Sequence, residues 1–386
     1  MVFWPIVVYL FSPSVLHLMG NELVVRLGGR RIGMDVTGGE LAYISHAHTD
    51  HTQALGGPLP IFCSSITADI LGLEKQNKKQ EPELAANAAL QPSAPAETKK
   101  EKKYSRRRKS GPLSSIEPPV KILPALIDVP EGISLHDAGH ILGSTQISAQ
   151  SEQWGKLVYT GDFKCRAGLT VSAAPILPCD TLVIECTYGD PRVSFPPMDG
   201  VLDGMERWAR QNRDAVQLWG GYSTGKAQEL VKFINDFLGE TPIVSGRAAA
   251  VCEAYKRNGV KLNWLSSDSA EAQEVMRGPF HAVMPPHALT ASLASRLSEV
   301  HRRKVRRAMA TGWALVRQLP ADAAFPLSDH ADFGEILEYA KSCGAKQVFM
   351  AHGDNEHTAR ALCAAGVPAR PIEEMGAQQM LLKIGE

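Results

Sequence analysis

The sequence predicts an α/β protein in which a layered sheet domain is interrupted by a second α/β unit. Strand-like runs repeatedly end in His, Asp or Glu, and a layered sheet would bring such strand ends to one edge. Amphipathic helix patterns alternate with apolar strands over residues 190–325, which indicates a parallel sheet. Ligand-like residues resume only after residue 325, so we interpret this second unit as an insertion.

Composition narrows the class of protein. The chain has 386 residues, of which 44% are hydrophobic and 21% charged, and this balance predicts a globular protein. A formal net charge of zero gives no overall field that would attract nucleic acid. The seven cysteines are scattered and form no CxxC motif. This pattern is typical of a reducing compartment, so we expect a cytoplasmic protein.

Residues 1–18 are apolar but contain Pro5 and Pro13 and lack a basic start. The segment is shorter than a membrane span and does not fit a signal peptide. We therefore treat 1–18 as an extension before the domain, explained by a start codon placed too early. A tail that contacts a membrane is the alternative, although we expect no membrane partner.

A dense group of potential metal ligands follows the strand-like run 41–44. His46 and His48, two residues apart, project to the same side where the backbone is extended. A turn after them would bring Asp50 and His51 close to the same point. Neutral imidazoles and a carboxylate suit Zn²⁺, and the mixed set suits two ions that share a water.

Asp35 precedes this group at the end of another strand-like run. A carboxylate in that place would orient a ligating imidazole. The alternative is an ordinary turn Asp before Gly38. The residues themselves leave both interpretations open.

Residues 74–119 break the pattern, because they lack periodicity and are rich in Ala, Pro, Ser, Lys and Glu. Eleven Lys and Arg stand against five Glu between 74 and 110. We predict a disordered insertion. It is either a tethered polycation that concentrates nucleic acid or a solvated segment without a role.

Five further ligand-like residues follow strand or turn signals. His140 lies between glycines, Asp162 follows the run 156–161, and Glu185 follows the run 180–184. After the insertion, His330 precedes a predicted helix over 334–343, and the strand 347–351 leads to His352.

Six motifs in this order carry a family resemblance. His-Ala-His-Thr-Asp-His at 46–51, Ala-Gly-His-Ile-Leu-Gly-Ser at 138–144 and Tyr-Thr-Gly-Asp-Phe-Lys at 159–164 resemble the metallo-β-lactamase fold. Glu-Cys-Thr-Tyr-Gly at 185–189, the segment 327–333 and Ala-His-Gly-Asp at 351–354 resemble the extra motifs of its β-CASP nuclease branch. Within that branch the chain is similar to compact archaeal and bacterial mRNA 3′-end processing factor-like exonucleases.

The resemblance runs from about Glu22 to Pro371, apart from the insertion at 74–119. It implies a metallo-β-lactamase αββα sandwich with an inserted α/β β-CASP domain. The sandwich would comprise residues 19–189 and 326–386, and the β-CASP insert residues 190–325.

The resemblance also implies a ligand set and a reaction. One zinc would be bound by His46, His48 and His140, a second by Asp50, His51 and His352, with Asp162 bridging both. Glu185 and His330 would form an acid pair near the leaving oxygen, and a hydroxide shared by the metals would attack. Mn²⁺ or Fe²⁺ in place of zinc remains open. Cys186 stands where the family usually has Ser, a near isostere.

We expect the implied substrate to be single-stranded RNA, because family members that act on RNA typically carry His in the last motif, as His352 does. A ligase-associated single-strand DNA exonuclease is the alternative. The other alternative functions are a non-nuclease metallo-hydrolase and an inactive scaffold subunit. The sequence does not determine the oligomeric state, and a homodimer is one of the states that it allows.

The insert contains a glycine-rich run, 219–227, that matches a Walker A motif up to its last position. Ala227 stands where Ser or Thr is required, so we expect no nucleotide cofactor. We predict instead that Ser223, Gly225 and Lys226, with Ser328 of a later motif, bind the substrate backbone. The basic run 302–307 either lines the same cleft or is solvated.

The elements that we predict for the insert are helices over 201–212, 226–238, 248–258 and 288–300, with strands over 215–219, 242–244 and 280–284.

Overall fold

The computed structural model describes residues 16–19, 22–27, 29–73, 126–151 and 154–374. The insertion predicted at 74–119 and most of the extension at 1–18 lie outside these ranges. No helix within the described ranges has the length and apolar content that a membrane crossing requires.

The first sheet is built from the amino-terminal residues. Its strands are β1 (Leu16–Met19), β2 (Glu22–Leu27), β3 (Arg30–Met34), β4 (Leu41–Tyr43) and β5 (Ile61–Phe62). They lie in sequence order, with β1 to β3 antiparallel and β3 to β5 parallel. Helix α1 (Ser65–Leu71) begins at Ser64, whose side chain accepts the amide of Thr67.

The second sheet joins the middle of the chain to its carboxyl-terminal part. Its strands are β6 (Ile133–Asp137), β7 (Thr145–Ser151), β8 (Gly155–Tyr159), β9 (Thr181–Cys186), β16 (Gln347–Gly353) and β17 (Ala369–Pro371). The order is β17-β16-β9-β8-β7-β6. Strands β8, β9 and β16 are parallel, so Glu185 and His352 lie near the carboxyl ends of the neighbouring strands β9 and β16, at one edge of the sheet.

The two sheets pack face to face. Side chains of both, among them Val25, Tyr43, Tyr159 and Phe349, form one buried cluster. Helix α1 covers the outer face of the first sheet, and helices α7 (Phe333–Ser342) and α8 (Asn355–Ala364) cover the outer face of the second. This is an αββα sandwich, which confirms the predicted fold class.

The third sheet lies wholly within residues 216–325. Its strands are β10 (Val216–Gly220), β11 (Ile243–Val244), β12 (Leu265–Ser266), β13 (His281–Met284), β14 (Val305–Ala310) and β15 (Ala323–Phe325). All neighbours are parallel, in the order β12-β11-β13-β10-β14-β15. The helices are α2 (Met198–Gln211), α3 (Lys226–Phe233), α4 (Gly246–Arg257), α5 (Ala270–Val275) and α6 (Ala291–His301).

Several elements differ from the sequence-based expectation, and the short elements β12, α5 and β15 were not predicted. Strand β1 begins at Leu16, inside the segment that we assigned to an extension, and pairs with β2. Strand β14 was not predicted, because the charged residues Arg306 and Arg307 near its start resemble a solvated run. In the structure, Arg307 bonds to Asp322. Helix α3 ends at Phe233, since the chain continues as a π-helical turn over Ile234–Leu238.

The segment that carries His330 is held rigidly by the start of α7. Asp332 accepts the amide of Glu335, and the Glu335 side chain accepts the amide of Asp332, which is a capping box. Arg166 bonds to both carboxylates, at 3.1 and 2.6 Å. These contacts position the loop immediately before the helix.

Candidate metal centre

Four side chains from separate parts of the first two sheets converge on one point. Nδ1 of His48 lies 3.1 Å from Nε2 of both His46 and His140. Oδ2 of Asp162 lies 3.5 Å from Nε2 of His46 and 3.7 Å from Nε2 of His140. Tetrahedral ligands about 2.05 Å from a zinc ion would be about 3.3 Å apart. The spacing of these four donors therefore fits a single divalent ion.

The hydrogen bonds of the imidazoles leave the converging nitrogens free to act as ligands. His140 donates from Nδ1 to the carbonyl of Asp329 at 2.9 Å, which leaves the Nε2 lone pair. His48 donates from Nε2 to the carbonyl of Thr224 at 3.1 Å, which leaves Nδ1. Backbone carbonyls can only accept, so they determine the tautomer of each ring. Sequence patterns do not reveal these two carbonyls.

Asp35 organises the neighbouring histidines. It is buried and has a positive φ of 62°. Its carboxylate accepts the Ser45 amide at 2.6 Å, the Ser45 hydroxyl at 2.7 Å, Nδ1 of His51 at 2.8 Å and the Tyr159 hydroxyl at 2.8 Å. Because Ser45 donates to Asp35, it accepts from Nδ1 of His46 at 2.9 Å. The predicted orienting role therefore agrees with its contacts.

A second group of donors lies beside the first. Nε2 of His51 is 3.3 Å from Oδ2 of Asp162. Tyr159 donates to Asp35 and so accepts from Nε2 of His352 at 2.7 Å, which leaves Nδ1 of His352 as its free nitrogen. Tyr159 has no part in the predicted site. Its place in the motif Tyr-Thr-Gly-Asp, three residues before Asp162, is the signal that could have suggested it.

Asp50 lies at the rim of this second group. Its Oδ2 is 4.0 Å from Nε2 of His51, and 80% of its side chain is exposed. Asp35, His51 and His352 form the second donor cluster among the described residues. The structure brings together six of the seven predicted metal ligands and leaves Asp50 at the solvent side.

Burial keeps the first three imidazoles neutral. It lowers the pKa of His46 and of His140 well below the usual value, and lowers the pKa of His48 as well. A neutral imidazole is the form that binds a metal.

The carboxylates of Asp162 and Asp35 favour a positive charge in the second group. Burial opposes protonation of His51, but Asp162 and Asp35 outweigh it and raise the His51 pKa well above its usual value. Burial also opposes ionisation of Asp162, but His51 and His330 outweigh it and hold the Asp162 pKa well below its usual range. Its Oδ1 is buried and lacks a hydrogen-bond partner in the described part of the chain. An orphaned buried carboxylate oxygen fits a bound cation.

Glu185 and His330 form a pair beside the first donor group. Glu185 is fully buried and accepts the amides of Phe163 at 3.0 Å and Thr187 at 3.2 Å. Both of its oxygens contact Nδ1 of His330, at 2.9 and 3.1 Å. Burial opposes protonation of His330, but Glu185 and Asp162 outweigh it and raise its pKa to about 9. The predicted acid pair is therefore in contact and poised to hold a proton.

A cleft of about 710 Å³ opens onto these groups. Its walls include ligands from the sandwich and residues of the third sheet, among them Ser223, Lys226 and the predicted contact Ser328. Gly225 has φ of 87°, and a Cβ there would lie 2.3 Å from Ile141. Glycine therefore lets the start of α3 pack beside the metal ligands.

Lys226 has partners that the sequence did not suggest. Its ammonium is buried and forms ion pairs with Glu229 and, at 2.7 Å, with Asp329. Lys226 therefore lines the cleft with its charge already neutralised by two carboxylates.

The chain is similar in sequence to several known proteins. No family model matches the chain. A probable DNA ligase from Opitutus terrae is 28% identical over 342 residues, which cover 86% of this chain and 29% of that protein. Transcription termination factor FttA from Methanothermobacter thermautotrophicus is 27% identical over 212 residues, which cover 50% and 30%. The 5′ exonuclease Apollo from Danio rerio is 26% identical over 207 residues, which cover 51% and 30%.

The chain spans less than a third of the length of each of these relatives. A crystal structure of a protein of unknown function from Enterococcus faecalis V583 superposes with a TM-score of 0.51 and 11% identity, covering 86% of this chain and 79% of that one. This similarity concerns the fold alone.

Proposed function

We propose, on the premise that this chain is a β-CASP member of the metallo-β-lactamase fold, that it is a metal-dependent nuclease of single-stranded RNA. The observation that carries the proposal is the position of one oxygen. Oδ2 of Asp162 lies 3.5 Å from Nε2 of His46 and 3.3 Å from Nε2 of His51. A single carboxylate oxygen thus lies near both donor groups, an arrangement that suits two ions held close together.

Two divalent ions, zinc in our proposal, would supply an acidified water and positive charge for the phosphoryl oxygens. The chain's own residues supply the rest. Asp35 holds His51 directly and His46 through Ser45, so the donors stay aligned.

The second chemical requirement is a proton for the leaving oxygen. Glu185 holds the His330 proton at Nδ1, and Nε2 remains the nitrogen that is available to the cleft. In the proposed reaction, His330 gives a proton to the leaving oxygen as the phosphorus–oxygen bond breaks. Glu185 is buried and both of its oxygens contact the ring nitrogen, so it stabilises the cationic ring before the transfer.

RNA is proposed first because His352 occupies the last motif, and because FttA, a transcription termination factor by name, matches half of the chain. Two similarities favour a second candidate, a single-strand DNA exonuclease. The match to the probable DNA ligase covers 86% of this chain, and an uncharacterised protein named for its place in a lig 3′ region, from Acidianus ambivalens, is 28% identical over 133 residues.

The test compares single-stranded RNA and DNA of one sequence, each labelled at the 5′ or the 3′ end, with Zn²⁺ or Mn²⁺ added. We expect faster cleavage of RNA by the wild type and none by His48→Ala. His287→Ala, a change at an exposed histidine outside the cleft, should match the wild type. Faster cleavage of DNA would select the second candidate, and cleavage of neither strand would overturn the nuclease proposal.

A further inference from the structure

The carboxyl edge of the third sheet carries residues that the proposed chemistry does not use. Tyr222 follows β10, Arg247 follows β11 and Trp313 follows β14, and all three line the same cleft as His330. Parallel strands present their carboxyl ends at one edge, and open α/β sheets bind ligands there. We therefore expect substrate contacts at this edge of the sheet.

Tyr222 presents an aromatic ring to the cleft. The residue is 53% exposed, and within the described ranges its ring contacts no other aromatic ring. It lies two residues past Gly220, at the end of a strand that is otherwise buried. An exposed ring on a cleft wall offers a flat apolar face to a flat ligand.

An aromatic wall lies at the end of the neighbouring strand. The ring of Tyr188 is 5.0 Å from that of Trp313 and 5.9 Å from that of His330, between centroids. A Cβ at Gly312 would lie 2.6 Å from the Tyr188 hydroxyl, so the backbone packs closely on this wall. The apolar surface therefore extends directly from the proton donor.

Arg247 supplies a positive charge that remains available. It is exposed in the first turn of α4 and lines the cleft. No salt-bridge partner for it is found in the part of the chain that the structure describes. Lys226, in contrast, is neutralised by Glu229 and Asp329. Arg247 is therefore available to bind a phosphate that enters the cleft, whereas Lys226 is already paired.

We propose that this edge is a nucleotide-binding subsite, in which Tyr222 stacks on a base beside the scissile phosphate and Arg247 binds a phosphate farther along the strand. The inference rests on the proposed function and specifies which residues bind the nucleic-acid strand. Strand β13 separates β10 from β11, so the two contacts lie about 10 Å apart at ordinary strand spacing. Stacking accepts any base, so the subsite suits strands of varied sequence.

The first test concerns the stacking ring. Tyr222→Leu should raise KM for a single-stranded oligonucleotide about tenfold and leave kcat unchanged, whereas Tyr222→Phe should retain the wild-type KM. A strand that lacks bases next to the cleaved bond should show the raised KM with the wild type, and Tyr222→Leu should raise it no further. A purely structural role for Tyr222 would affect both strands equally.

The second test concerns the phosphate contact and does not require cleavage. The Glu185→Gln variant binds a labelled strand at several salt concentrations, and anisotropy gives the association constant. Adding Arg247→Ala should reduce the slope of its logarithm against log salt by about 0.7, the value for one phosphate on a single strand. Tyr222→Leu should leave that slope unchanged. Arg213→Ala, at an exposed position outside the cleft, is the matched control.

The two tests distinguish a failure of the subsite from a failure of the proposed nuclease function. If the wild type cleaves the strand and both variants behave like it, the subsite is overturned and the nuclease proposal stands. If the Glu185→Gln protein binds the strand and Arg247→Ala reduces the slope as expected, but the wild type cleaves no strand, the nuclease proposal fails and the phosphate contact of the subsite stands.

Discussion

The carboxylate of Asp35 lies 2.8 Å from Nδ1 of His51, and the same oxygen accepts hydrogen bonds from Ser45 and Tyr159. Through these three donors, one buried carboxylate determines the orientation of His51, of His46 and of His352. The two donor groups therefore share one support, and Oδ2 of Asp162 also lies close to both of them. A change at Asp35 should loosen both groups together.

We expect Asp35→Asn to weaken metal binding about 10- to 100-fold, as changes in partners of ligating histidines typically do. The amide removes the negative charge and can accept at only one of its two positions. Competition with a chromophoric chelator measures the affinity. Asp203→Asn, at an exposed position of α2, is the control. Equal affinities for Asp35→Asn and the wild type would contradict the role of this support.

Lys226→Met should reduce the free energy of unfolding by about 3–5 kcal/mol, because it leaves Glu229 and Asp329 as unpaired buried charges. Lys232→Met on the same helix removes a partly exposed pair with Asp236 and should cost about 1 kcal/mol or less. Urea unfolding of the two variants gives the comparison. A stability loss in Lys226→Met no larger than in Lys232→Met would show that the buried ion pairs do not stabilise the fold.

Glu185→Gln and His330→Ala should each lower kcat for strand cleavage about 10²- to 10⁴-fold, the usual contribution of a positioned acid. Their metal content should equal that of the wild type, since the ligand donors are left in place. Elemental analysis and single-turnover kinetics on the same samples separate the two effects. A loss of metal that accounts for the loss of rate would contradict the assignment as a proton donor pair.

Much of the candidate site could be predicted from the sequence because its ligands occur as short motifs at strand ends. His46, His48, His140 and Asp162 come together, as the resemblance of their motifs to the metallo-β-lactamase fold implied. The αββα layers were likewise implied by the family resemblance.

The remaining features depend on contacts between distant segments. Thr224 reaches His48 through a backbone carbonyl, and any residue type could supply that group. Lys226 was predicted to bind substrate because it follows a glycine-rich run, whereas its buried partner Asp329 is 103 residues away. Arg307 near the start of strand β14 has its partners, Asp322 and the carbonyl of Pro320, on the loop before β15. Local sequence patterns do not predict such contacts between distant segments.

The central claim is that the buried His and Asp donors hold divalent ions that drive phosphodiester hydrolysis. Its most direct test is to titrate chelator-treated, metal-free protein with Zn²⁺ or Mn²⁺ while hydrolysis of a labelled single strand is measured. We predict no hydrolysis without metal, a rate that rises until two ions per chain are bound, and no recovery for His48→Ala. Hydrolysis by the metal-free wild type, or by His48→Ala at the wild-type rate, would contradict the claim.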